Sequence, residues 1–328
     1  MLTTKPQVSL IRATSYQQDA LKESLTTLLD PLGGIGAFVK PGNRVLLKPN
    51  LLTGARPTKE CTTRPELIRA VAQQVIEAGG KPFLGDSPGF GTAKGVARAN
   101  GLLPILEELN IPIVEFRGQR YTCPEGSGKS YEFNHLLLSK EAMETDVIIN
   151  LPKVKSHMQL TVTMGVKNLF GCVPGKMKAW WHMEAGKDAK KFGQMLVETA
   201  RAINPSLTIL DGIIGHEGNG PSGGEPRELG VLGASENVFA LDRAVLEILK
   251  VDPMQVPTMV AAQNLGICPE LTDIEFPHLS PDLLEIEDWR LPDNLMPIDF
   301  AMPRVIKSTF KHLYIRFIKE PMGAYSRG

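Results

Sequence analysis

Lysines and histidines crowd the middle of the chain. The apolar run Asp146-Val147-Ile148-Ile149-Asn150-Leu151 is closed by Pro152 and followed at once by Lys153, Lys155 and His157. Lys167 and Asn168 come next, then Cys172 within a Gly-Pro-Gly turn, then Lys176, Lys178 and His182. Ammonium groups are compact donors for phosphate and carboxylate, so the lysines point to an anion-binding site. Glycines 165, 171 and 175 permit close backbone approach, and a helix N-terminus near Thr161–Thr163 would add N–H donors. Imidazoles titrate near pH ~6.5, which makes His157 the expected acid/base and His182 a second candidate. A partly buried lysine is itself a candidate base or Schiff-base nucleophile. Nearby lysines favour a Cys172 thiolate, set against the plainer reading of a small buried cysteine.

The elements that must position these groups follow from hydrophobic periodicity. Val8–Arg12, Arg44–Leu47, Lys81–Leu84, Ile111–Phe116, Asp146–Leu151 and Leu207–Leu210 are short apolar runs bounded by turn residues, the pattern of buried strands. Helical spacing recurs over 16–29, 102–109, 188–203 and 238–249. Thr63-Arg64-Pro65-Glu66 has capping-box spacing and predicts a helix to about Ala78. Four strands end in polar residues: Lys48 and Asn50, Asp86 and Ser87, Lys153, Asp211. That repetition predicts an α/β fold with a mainly parallel, doubly wound sheet, helices on both faces and a ligand crevice at its carboxyl edge. Residues 117–135 read as an edge hairpin, and 213–227, with His216 and Glu217, as a long functional loop. The expected organisation is a core over 1–250, a Pro-rich acidic segment over 251–302 packed on it, and a basic amphipathic C-terminal helix within 303–328.

Charge is balanced overall, 36 basic against 36 acidic residues, so the surface is not tuned for nucleic acid. It is balanced in blocks, however. Residues 151–191 carry eight lysines against two acids, and 270–299 carry nine acids against Arg290. From Arg304 to Lys319 five bases line a helix-period stripe of Ile306, Phe310, Leu313 and Phe317. Such blocks attract one another within the fold or across a homo-oligomer, or the tail lies on an anionic membrane surface. The four cysteines lack paired spacing, and no leader or ~20-residue apolar run is present, which predicts a cytoplasmic protein with free thiols. A metal drawing on His157, His182, His216, Asp86 and Asp211 has no HxH or HExxH spacing behind it, and a GxSxG elbow is missing.

The ordered motifs KPN (48–50), GDSPG (85–89), NLPKVKSH (150–157), GVKNLFGCVPGKMK (165–178), DGIIGHEGNGP (211–221) and LDR (241–243) resemble the DUF362 family of uncharacterised proteins. The resemblance implies shared site residues at Lys48, Asn50, Asp86, Lys153, Lys155, His157, Lys167, Asn168, Cys172, Asp211 and Glu217. Many such proteins carry a ferredoxin-like CxxCxxC module. This chain has no such run, so an intrinsic [4Fe–4S] cluster is not expected, and a redox role would need a separate electron-transfer protein. Two functional expectations stand together. One is an enzyme that binds an anionic small molecule through Lys153, Lys155 and Lys167, with His157 as acid/base and Asp86 or Asp211 orienting it. The other is a membrane-peripheral interaction protein that uses the basic helix.

Overall fold

In the computed structural model, residues 5–123, 132–133, 135–175 and 188–296 are described. His182, Lys176, Lys178 and the tail helix expected over 304–319 lie outside them.

The strands of the main sheet are β1 (Ser9–Arg12), β2 (Arg44–Pro49), β3 (Lys81–Gly85), β4 (Ile113–Val114), β7 (Val147–Leu151), β8 (Lys153–His157), β9 (Thr161–Thr163), β10 (Leu207–Glu217) and β11 (Glu225–Ser235). The backbone path runs β1-β11-β10-β7-β2-β3-β4. From β10 to β4 every pairing is parallel, whereas β11 and β1 add antiparallel at one side. The remaining pair, β5 (Gly118–Thr122) and β6 (His135–Ser139), forms an antiparallel hairpin as expected, but as a sheet of its own rather than at the edge of the main one.

Side chains alternate between the two sheet faces, and each face has its own core. Val45, Leu47, Ile149 and Ile209 meet α1 (Gln18–Leu29), α2 (Pro65–Glu77), α3 (Ala93–Ala99) and α4 (Leu103–Glu108). Leu10, Leu46, Ile148 and Leu210 point the other way, toward α5 (Ala189–Ile203), α6 (Val238–Ile248) and α7 (Pro257–Asn264). Each fully buried aliphatic side chain contributes roughly 1.5–3 kcal/mol, so two such layers anchor the sheet firmly. Helix starts are fixed locally: Asn237 accepts from the N–H groups of Phe239 and Ala240, Asp188 from Lys190, and Thr92 from Gly95.

The capping box expected at Thr63 is not formed. Arg64 holds the N-cap position without a side-chain cap, and the Arg64 N–H donates instead to Asp211 on β10. Thr63 is used elsewhere, its hydroxyl donating to the Leu151 carbonyl and accepting from Asn50 N–H. Two more expectations change. The lysines after Pro152 are themselves in a strand, because β8 resumes beyond the proline and pairs with both β10 and β9. The long loop expected over 213–227 is mostly hairpin, since β10 continues to Glu217 and β11 begins at Glu225. Glycines at 212 and 215 concealed that strand, yet they are there for closeness. A Cβ at Gly212 would stand 2.9 Å from the Val231 carbonyl, and one at Gly215 would press on Leu229 and Trp289.

Residues 251–296 lie along the core. Glu275 bridges Gln7 in parallel, Leu279 N–H reaches Leu10, and Ile274, Leu284 and Trp289 are buried. Part of the acidity is matched by core bases, in the pairs Lys250–Glu285 and Arg227–Asp288.

Candidate functional site

Strands β2, β3, β8 and β10 and the turn after β9 bring together Lys48, Asn50, Asp86, Lys153, Lys155, Asn168, Asp211 and His216. The arrangement divides into three parts.

The first part is a closed pair. Lys48 Nζ lies 2.9 Å from Asp86 Oδ1 and 2.8 Å from the Pro49 carbonyl, with both side chains buried. Asp86 also accepts from the N–H groups of Leu51 and Ser87. Asn168 ties this pair to the sheet. Its Oδ1 accepts from Asn50 Nδ2 at 3.0 Å, and its Nδ2 donates to the Lys48 carbonyl and to Asn150 Oδ1. The short turn Gly165–Asn168 that carries it is held by Asp242 of α6, which accepts from Gly165 and Val166 N–H. The N–H donors expected near Thr161–Thr163 are therefore spent inside the protein: that stretch is β9, and the following turn is capped by a carboxylate. Burial pushes the Asp242 carboxyl up to about 7, against the pull of those two N–H groups.

The second part centres on Lys153. Its Nζ donates to Glu60 Oε2 at 2.9 Å, Asp211 Oδ2 at 3.2 Å and the Tyr16 hydroxyl at 3.1 Å. Tyr16 in turn donates to Asp211 Oδ1 at 2.6 Å, and the Arg64 guanidinium stacks over its ring at 4.6 Å and pairs with Glu60. Burial, then the Asp211 charge, push the Tyr16 phenol far up. Burial likewise raises Glu60, with Lys153 opposing. Asp211 is not at a strand end as the sequence suggested. It sits in mid-β10, in register with Lys153.

The third part is Lys155. It is buried, and its Nζ meets two neutral acceptors, Asn50 Oδ1 at 2.7 Å and the Cys61 carbonyl at 2.9 Å. Burial, above all, brings its ammonium down to about 8. Across the ladder its register partner is His216. That ring is buried and accepts from Gly224 N–H at Nε2, 3.1 Å away. Burial and then the Lys155 charge lower it to about 4, so the ring is neutral at neutral pH. With Nε2 accepting, the proton of the neutral ring resides on Nδ1. Nδ1 makes no hydrogen bond of its own, although the Lys59 backbone is near enough to favour the charged ring slightly.

Charge sorts the three parts. Lys48, Lys153 and Arg64 face Asp86, Glu60 and Asp211 in direct ion pairs. Lys155 is left over, with no carboxylate within ion-pair distance among the described residues.

Other candidates fall elsewhere. His157 ends β8 at the turn into β9, where its Nδ1 accepts from Gln159 N–H. Lys167 is half-buried, its ammonium 4.6 Å above the Phe170 ring. Glu217 is clamped by Arg290, whose Nε donates at 2.7 Å. Cys172 is buried and in no disulfide. It follows Gly171, which has no room for a side chain: a Cβ there would stand 2.1 Å from Asp86 Oδ1 and 2.4 Å from Lys48 Nζ. Among the described residues no three His, Cys, Asp or Glu side chains are grouped to hold a metal ion. Sequence reasoning passed over Tyr16, Glu60 and Cys61 as partners of the lysines, and Arg64 as the partner of Glu60 and Tyr16. No local pattern marks them, because each is recruited from a loop distant in sequence. Asp242 did carry a signal, a carboxylate inside an apolar helix.

A cavity of about 730 Å³ lies at the opposite, amino edge of the sheet, beside Gln7, Arg201, Asn204, Glu236 and Phe239. It gathers no buried titratable cluster. Convergent, perturbed polar groups mark a functional site better than volume does, and here they stand at the carboxyl edge.

The model of a domain of unknown function, DUF362, matches residues 45–247, which takes in β3, β8, β10 and all but the first residue of β2, the strands that deliver these groups. The chain belongs to the DUF362 family. It is also 65% identical, over 97% of its length and 98% of the relative's, to a thylakoid-associated protein of Synechocystis sp.. Among solved structures, the lactate racemase apoprotein from Thermoanaerobacterium thermosaccharolyticum matches at 18% identity with a TM-score of 0.41. That match covers 63% of this chain and half of the racemase chain.

Proposed function

We propose that the carboxyl edge of this DUF362 sheet binds an anionic small molecule and acts on it, with Lys155 as the group that meets the anion. One observation carries this reading: Lys155 is a buried amine held by neutral acceptors alone, beside a cluster whose other cations are already paired. A buried cation without a counter-ion is costly to keep, so Lys155 rests as an amine, and a ligand's negative charge would stabilise the ammonium it becomes on taking up a proton. Lys153, counted with the anion-binding lysines on sequence grounds, is spent on Glu60 and Asp211 and takes a scaffolding role here. Thermal melts with phosphate- and carboxylate-bearing metabolites test the reading, because a bound ligand raises the midpoint by mass action. At least one anion class is expected to stabilise the wild type and not Lys155→Met. Equal shifts in both proteins, or none with any anion, would remove the proposal.

A second reading has its own support in the thylakoid-associated relative, which is similar along almost its whole length. In this reading the protein is peripheral to a membrane, held by the basic segment 304–319. No helix among the described residues is long and apolar enough to cross a bilayer, which is compatible with it. The full chain is expected to float with phosphatidylglycerol-containing vesicles and a chain ending at Pro303 to remain behind. Equal flotation of the two would take the tail out of the account.

A further inference from the structure

We infer that Lys155 and His216 form a proton-transfer pair, in which the amine takes a proton from the bound substrate and the His216 Nδ1–H holds the oxygen where the charge develops. The inference deepens the proposed function and rests on its anion site. It would give the substrate a chemical class: a carboxylate or phosphate compound with a carbonyl or hydroxyl oxygen next to the proton removed.

The first argument is the partner count at Lys155. A neutral amine has two N–H bonds and one lone pair, whereas an ammonium has three donors. Two acceptors meet Nζ, Asn50 Oδ1 and the Cys61 carbonyl, and neither is charged. The surroundings therefore suit an amine with its lone pair free. The nearby charges are mixed: Cys61, the strongest of them, and Asp86 favour the ammonium, and Lys153 and Lys48 disfavour it. The Cys61 thiol is itself pushed up by burial and so neutral at neutral pH.

The second argument is the imidazole. Beyond an irregularity in β10, His216 is the register partner of Lys155, and its ring lies close enough to feel the Lys155 charge. Nε2 is fixed as an acceptor by Gly224. The donor that remains, Nδ1–H, is buried and makes no well-formed hydrogen bond, the Lys59 backbone being its one weak partner. A buried donor so poorly satisfied is costly, and such groups are common where a reacting oxygen must be received. Glycine at 224 makes the placement possible, since a Cβ there would meet the Glu217 carbonyl at 2.0 Å and His216 Nε2 at 3.2 Å.

The step balances without a co-reactant. A C–H or O–H bond of the substrate breaks, its electron pair stays on the substrate, and the proton moves to Lys155 Nζ. His216 donates a hydrogen bond to the oxygen that gains charge, and the ammonium later returns a proton to the product.

Cyanate labelling of the full-length native protein, mapped by peptide mass spectrometry across pH, tests the pair. Cyanate is small and reacts with neutral amines. Lys155 is expected to label with a midpoint near pH 8, while exposed lysines such as Lys22 label with midpoints above ~10. Pyruvate or inorganic phosphate is expected to protect Lys155, and His216→Asn to weaken that protection at least tenfold. A Lys155 that stays unlabelled while surface lysines react would overturn the inference, even if an anion still raises the melting midpoint. Labelling at pH 8 with no protection by any anion would uphold the reactive amine and refute the anion site instead. Unchanged protection in His216→Asn would remove His216 from the pair.

Discussion

Lys153 and Lys155 are two residues apart on one strand, face the same side, and are equally buried, yet their surroundings are opposites. Lys153 is enclosed by two carboxylates and a phenol. Lys155 has an amide oxygen and a peptide carbonyl. A protein gains fixed geometry from the first kind of lysine, because opposite charges in a dry interior lock one arrangement. From the second it gains chemistry, because an amine without a counter-ion is easily deprotonated. The difference shows why lysine type and strand position alone do not mark a reactive group: the partners decide, and they arrive from elsewhere in the chain.

Mutations that exchange the two environments break the comparison most strongly. Lys153→Met strands Glu60 and Asp211 in the interior, and Lys48→Met does the same to Asp86. Each is expected to cost about 3–5 kcal/mol, read as a lower denaturant midpoint. A loss under 1 kcal/mol would mean that the ion pairs are not structural. Gly171→Ala attacks the Lys48–Asp86 pair by volume rather than charge, driving a methyl group into both side chains. Overpacking of this kind costs roughly 1–3 kcal/mol, and a wild-type melt would show that the segment can move aside.

Lys155→Met is expected to behave differently: stability at pH 7 equal to the wild type or higher. The sign follows from the folded value of about 8, below that of an ordinary lysine. The unfolded chain then binds more protons between about 8 and 10.5, so wild-type stability rises with pH across that window and falls as pH drops through 8. The variant should lose this slope. Asp242 gives the opposite slope. Its folded carboxyl is raised to about 7, so the folded chain holds the extra proton, and stability declines as pH climbs from about 4 to 7. Asp242→Asn should flatten that decline in denaturant titrations. The smallest effect belongs to the exposed Lys22–Glu77 pair, at 2.9 Å but solvated, where Glu77→Gln should change stability by less than ~1 kcal/mol.

The layers were legible in the sequence because their cause is local. Val45-Leu46-Leu47 and Val147-Ile148-Ile149 alternate between two cores, and apolar runs of that length, closed by Pro or Gly, have few alternatives to a buried parallel strand. Part of the cluster was legible too, since Lys48, Asn50 and Asp86 stand where strands end. What escaped was set by tertiary partners. Lys-Val-Lys-Ser-His reads as a set of anion-binding side chains until Glu60, Asp211 and Asn50 arrive to cover its lysines. Gly-Ile-Ile-Gly-His-Glu reads as a loop until β11 is laid against it. The histidines were ranked by their distance in sequence from the lysines. That ranking favoured His157, whereas the register places His216 across from Lys155.

The most direct test of the central contrast is the titration of Lys155 in the folded protein, followed by NMR of lysine labelled at Cε and Nζ and assigned by the signal lost in Lys155→Met. The account predicts a midpoint near pH 8 for that one resonance. A midpoint above pH ~10 would contradict it, because Lys155 would then be an ordinary charged lysine and the distinction from Lys153 would disappear.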